Sequence, residues 1–327
     1  MPHEKAVEAS AEIIFNPLSG YILAAAGSVL FSSKAIFIKL AYGEGSVPDI
    51  DAITLLALRM AFALPVYLAV GLLAWRGLVR QAKPLPGGRH LATAFAIGVL
   101  GYYLASYLDF EGLVYLTAQF ERLLLFTYPF FVMLLGALFF GGRVTRWGVI
   151  ALILSYMGIS VIFFEGATAK TDNSVFGAAL VIGAAFCFAL YQLLAKPVIA
   201  KVTSPVFTCV AMTGAGVAVI VHFLGQSSFA VFADLPGRIV LLGALLAVFA
   251  TVLPSFMLNA ALGRVGPQAV SIIGTLSPVA TTVLAIIFLN EPFTPTDAIG
   301  TALVIAGVGL FTWRDSRKKA PAGTSGT

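Results

Sequence analysis

Lys34, Arg59, Glu121 and Arg122 are the residues of this chain best placed to do chemistry, because each lies inside a long apolar stretch and clear of its ends. An ionisable group at mid-depth in a membrane helix costs about 2.5–3.5 kcal/mol on insertion scales, so by default it marks function. Three cations share this layer with one carboxylate, and Glu121 alone cannot neutralise them. Such a layer recognises an anion, since an incoming carboxylate would supply the missing counter-charge. Tyr103 and Tyr107, one turn apart on one helical face, are placed to stack on or hydrogen-bond the remainder of that ligand. Glu121, as the carboxylate expected in the apolar layer, is the candidate for taking up and releasing a proton, the proton-coupling role.

The elements that must hold these residues follow from composition. Charged residues are 11% of the 327 and the AVILMFWYC set is 59%, against about 25% charged in soluble domains. One soluble core could not hide that much apolar surface. Cys187 and Cys209 sit in apolar segments and His3, His90 and His222 are scattered, so neither a disulfide framework nor a metal-ligand pattern is present, and no cofactor is expected. The formal charge of +5 comes from basic residues beside apolar segments, which points to lipid headgroups and away from nucleic acid. The expected partners are membrane lipids and a small-molecule substrate, with the chain acting as a monomer or weak homodimer.

The pattern implies an all-α membrane protein with ten transmembrane segments, at 19–41, 52–75, 91–109, 113–140, 147–164, 174–195, 204–224, 238–262, 267–289 and 296–313, each near the 20 apolar residues a span requires. Asp109–Gly112 reads as a surface turn between the third and fourth. With the N-terminus inside, fourteen Lys and Arg fall in inner loops and tails and two, Lys170 and Arg238, in outer ones; this positive-inside bias makes both termini cytoplasmic.

The chain also repeats itself. A shift of 149 positions lays Gln119 on Gln268, Pro129 on Pro278, Thr145 on Thr294 and Gly158 on Gly307; a shift of 157 lays Lys34 on Tyr191 and Lys39 on Lys196. Five spans per copy is odd, so the second copy must be inserted upside down. The expected units are a cytoplasmic tail at 1–18, a first five-helix repeat at 19–165, a second at 174–313 and a basic cytoplasmic tail at 314–327. Inverted repeats are the architecture of secondary transporters, whose half-sites close alternately toward either side. Tyr191, Gln192, Asn259, Ser271 and Thr275 are the second-half polar residues available to complete a substrate cavity. Pro65, Pro129, Pro254 and Pro278 each interrupt a predicted helix; the equivalent pair Pro129 and Pro278 is expected to bend during gating.

An enzyme is disfavoured, because no metal spacing, phosphate loop or intramembrane catalytic pair is present. A facilitative channel, or a carrier for another small solute (nucleotide-sugar-like or drug-like), is the competing reading. A channel would need polar residues through the full thickness, whereas these charges gather in one layer.

Arg59, the segment LLLFTYPFFVMLLGALFFGGRVT at 123–145 and its partner IIGTLSPVATTVLAIIFLNEPFT at 272–294 resemble the drug/metabolite transporter superfamily, in its ten-helix EamA-type branch. The resemblance covers about 19–313. The turn after these helices in the family carries an acid, which the second half keeps in Asn290-Glu291-Pro292 and the first replaces with Gly141-Gly142-Arg143. The resemblance implies export of amino acids or other small metabolites across a bacterial inner membrane, in some members by exchange for protons.

Overall fold

Residues 17–42, 50–116, 121, 124–142, 144–163, 174–289 and 295–319 are described by a computed structural model. The elements are α1 Pro17–Tyr42, α2 Ala52–Arg80, α3 Gly88–Tyr115, α4 Tyr128–Phe139, α5 Arg146–Phe163, α6 Ser174–Val202, α7 Ser204–Gln226, α8 Gly237–Val265, α9 Pro267–Gly274, α10 Leu276–Leu289 and α11 Pro295–Lys319. No strand occurs among the described residues. Helix is what this composition dictates, because in lipid each segment must satisfy its own backbone hydrogen bonds. Six helices, α1, α2, α3, α6, α7 and α8, are each long and apolar enough to cross a membrane, and α4, α5 and α11 carry shorter apolar stretches. The protein is a multi-pass membrane protein. The outer faces carry bare apolar side chains, among them Leu73 on α2, Val221 on α7 and Leu241 on α8, which only lipid tails would solvate without cost.

The third segment differs from expectation. Asp109–Gly112 is no surface turn: α3 runs through it to Tyr115, and Asp109 is 1% exposed. The charge is tolerated there because Lys34 on α1 comes to meet it. Asp109 is a second buried carboxylate beside Glu121, which was expected to be the only one in the apolar layer. At the other end, α11 continues through Arg314 to Lys319, so the basic tail begins as helix.

Packing runs mainly between the two halves of the chain, each helix touching partners from the other half. α1 packs on α8 as α6 packs on α3, and α1 on α10 as α6 on α4. In the same way α2 touches α8 as α7 touches α3, while α2 lies on α7 and α5 on α11. Local irregularities obey the same correspondence. α3 contains a π-helical stretch, Val99–Leu104, and α8 another, Val248–Val252; the 149-position shift carries Val99 onto Val248. The same shift carries Phe126, in the turn before α4, onto Thr275, where α9 and α10 part. Pro129 occupies the first turn of α4 and Pro278 the first turn of α10, so each proline starts a helix just after a break, where its missing N–H costs least. Pro254 likewise follows the second π stretch, and Pro65 lies within an unbroken α2.

Candidate functional site

A cavity opens between the halves, walled by α1, α2, α3, α6, α8, the start of α4 and the α9–α10 break. Broken helices at its edge expose backbone that continuous helices would consume. The two breaks meet there: the Tyr128 hydroxyl donates to the Ser271 carbonyl at 3.2 Å, and a Cβ on Gly274 would fall 1.9 Å from that hydroxyl. Only glycine permits this approach. Ser32 on α1 closes the same corner, 3.0 Å from the Ser277 carbonyl it bonds.

One side of the cavity is charged. Lys34, 3% exposed, forms an ion pair with Asp109. Arg59, also 3% exposed, lines the cavity, and its Nε and Nη2 are buried without a hydrogen-bond partner among the described residues. Phe110 lies between the two cations, its ring 5.9 Å from the Lys34 nitrogen and 5.5 Å from the Arg59 guanidinium carbon; Phe31 adds a second face for Lys34 at 5.1 Å. Rings supply part of what lost water supplied, but a ring carries no net charge. Lys34 and Asp109 cancel, which leaves Arg59 as the uncompensated cation among the described lining residues.

Another part of the wall is polar and neutral. Tyr191 on α6 donates to the Asn259 side-chain oxygen on α8, its hydroxyl lies 3.1 Å from that of Tyr102, and the Asn259 amide donates to Thr208 on α7 at 3.1 Å. The Tyr191 ring lies against Gly101, where a Cβ would meet it at 2.3 Å, and is stacked on Phe188. Gln192 also lines the cavity, with its Oε1 buried and without a hydrogen-bond partner among the described residues.

Of the residues singled out from sequence, Lys34, Arg59, Tyr191, Gln192 and Asn259 come together on this cavity. Lys34 takes Asp109 as its partner; Glu121 is fully buried and does not form part of the lining. Tyr103 and Tyr107 stand outside the lining, on the face of α3 that meets α7: Tyr103 bonds His222 at 3.2 Å and both rings pack on it. Their neighbour Tyr102, about 100° round the helix, faces the cavity. Thr275 turns its hydroxyl back to the Ile272 carbonyl at 2.6 Å and to Ser155, capping the α9 break. Arg122 lies outside the described residues, as does the Asn290-Glu291-Pro292 turn. The sequence reading missed Asp109 and Tyr102. The signal for Asp109 was present, because the 149-position shift brings it beside Asn259, already a candidate.

The EamA-like transporter family matches residues 18–164 and again 175–313. The chain belongs to the EamA-like transporter family. It is therefore a membrane transporter of that family, and the two separate matches fall on the two interlocked halves. Among relatives, the uncharacterized transporter YcbK of Bacillus subtilis is 27% identical over 306 residues, covering 90% of each chain. A probable terminal-alkyne amino-acid exporter of Streptantibioticus cattleyicolor is 27% identical over 241 residues, covering 74% of this chain and 80% of its own. A solved crystal structure superposes with a TM-score of 0.72 at 17% identity, over 92% of this chain and 99% of the other, which speaks for the fold. An EamA transporter of this kind keeps its outer faces in lipid and needs a cavity for a small molecule; the cavity around Arg59 is the candidate.

Proposed function

We propose that this chain is a secondary transporter exporting small carboxylates, amino acids or related acids, by alternating access across the bacterial cytoplasmic membrane. The carrying observation is Arg59: a buried guanidinium, lining a central cavity, with two nitrogens lacking partners among the described residues. A desolvated cation is expensive, and a carboxylate is the group whose planar pair of oxygens matches its donors. The amino-acid exporter among the relatives supports the same substrate class.

The halves at 19–165 and 174–313 are proposed as inverted five-span repeats, ten spans in all, with both termini cytoplasmic. The exchanged packing partners and the matching π stretches support this, as does the positive-inside bias. In this scheme the breaks ahead of Pro129 and Pro278 flex as the cavity changes side, because backbone there is already released from regular helix. Glu121, fully buried, stands as a candidate for proton coupling beside Asp109.

The test is flux in reconstituted vesicles. Wild-type protein is expected to show saturable counterflow of a radiolabelled carboxylate from an amino-acid panel, and Arg59→Ala and Lys34→Ala to lose it with insertion unchanged. Undiminished flux in both variants would remove the carboxylate reading. An imposed pH gradient without effect on flux would exclude a coupling role for Glu121 and Asp109 alike.

A further inference from the structure

We infer that the cavity selects acids whose carboxylate is their only charge, carried on an apolar or aromatic body, over zwitterionic amino acids. This rests on the carboxylate reading above and narrows it. The argument is a charge balance over the described lining residues. Lys34 and Asp109 form an ion pair, and Arg59 contributes one further positive charge. A monoanion makes the occupied cavity neutral. A zwitterion would bring its carboxylate to Arg59 and then hold an ammonium group in a space whose lining carboxylate, Asp109, is already engaged by Lys34. The cavity would stay net positive, with a second cation stripped of water, a cost of several kcal/mol unless paired.

Neutral groups do not repair this. Gln192 Oε1, buried without a hydrogen-bond partner among the described residues, suits an amide N–H or hydroxyl of the ligand. It carries no charge to set against an ammonium. Aromatic faces attract cations by about 0.5–2 kcal/mol, yet Phe31 and Phe110 are already occupied by Lys34 and Arg59. The rest of the wall, with Leu125, Phe126, Phe188, Leu258 and Leu262, is apolar and matches a hydrophobic body.

The experiment is isothermal titration of the purified full-length protein in detergent with four probes: 3-phenylpropionate, octanoate, L-phenylalanine and phenethylamine. The two simple acids are expected to bind, L-phenylalanine at least about tenfold more weakly, a difference of about 1.4 kcal/mol, and phenethylamine not at all. Arg59→Gln, checked for folding by gel filtration and thermal unfolding, should lose the acids, and Arg59→Lys should retain part of the affinity. L-phenylalanine binding as tightly as 3-phenylpropionate would overturn the selectivity while leaving the carboxylate site standing. Absence of binding by all three carboxylates, or binding of the acids undiminished in folded Arg59→Gln, would overturn both readings.

Discussion

The two halves put different chemistry at matching places around one cavity. In the first half α1, α2 and α3 present Lys34, Arg59 and Asp109; in the second α6 and α8 present Tyr191 and Asn259, the latter backed by Thr208 of α7. Shifts of 157 and 149 positions carry Lys34 onto Tyr191 and Arg59 onto Thr208, and Asp109 falls within one position of Asn259. An ion pair in the first half is thus a neutral hydrogen bond in the second: Lys34 to Asp109 becomes Tyr191 to Asn259. The neutral side satisfies itself, because Thr208 fits the amide as Asp109 fits the ammonium. The charged side does not, because Arg59 has no acid of its own among the described residues. The two halves share one pattern of packing, and differences at three positions polarise the site.

The sharpest way to break this contrast is to unpair the charged side. Asp109→Asn keeps the shape but takes from the buried Lys34 the carboxylate it pairs with, which should destabilise the fold by about 3–5 kcal/mol. Thermal unfolding in detergent would show it, and the double variant Lys34→Met/Asp109→Leu should recover most of the loss, since an apolar pair of similar size removes both desolvation penalties. A single variant as stable as the parent would mean that the pair does not support the bundle. Next in size is Arg59→Gln, expected to weaken carboxylate affinity by about 1.5–3 kcal/mol, roughly ten- to hundredfold, with stability kept or raised because a lone buried cation is gone.

The neutral side should respond less. Asn259→Leu removes the acceptor of the Tyr191 hydroxyl and the donor to Thr208, whose own hydroxyl still bonds the Ser204 carbonyl, a cost of about 1–3 kcal/mol read in the same unfolding assay; carboxylate affinity should remain Arg59-dependent. Smallest is Tyr103→Phe, which removes one hydrogen bond to His222 outside the cavity. It should change stability by about 1 kcal/mol or less and leave affinity and flux at the parental level. A transport defect there would bring Tyr103 back into the substrate path.

How much of this could be read from the chain depends on the kind of signal. Long apolar runs declare themselves, because a span's helicity and membrane partition depend on its own residues and on lipid. The family was legible for a related reason, since its motifs lie in contiguous stretches around Pro129 and Pro278. The site was legible only in part. Lys34 and Arg59 stood out because charge in an apolar run is rare at any orientation. Asp109 did not, because four residues of Asp-Phe-Glu-Gly look like a loop until Lys34 is known to lie beside them. Tyr103 was favoured over Tyr102 although neighbours on a helix point about 100° apart, and composition cannot say which of them faces inward.

The sequence alone determined the class of molecule, its apolar helices, its internal repetition and the presence of costly charge inside the membrane, all properties set within single segments or by comparing them. The tertiary structure alone decided which acid neutralises which base, which tyrosine meets the cavity and which cation is left over. Those are relations between helices distant in the chain, and a pair such as Lys34 and Asp109 exists only once the bundle brings the two side chains together, buried away from water.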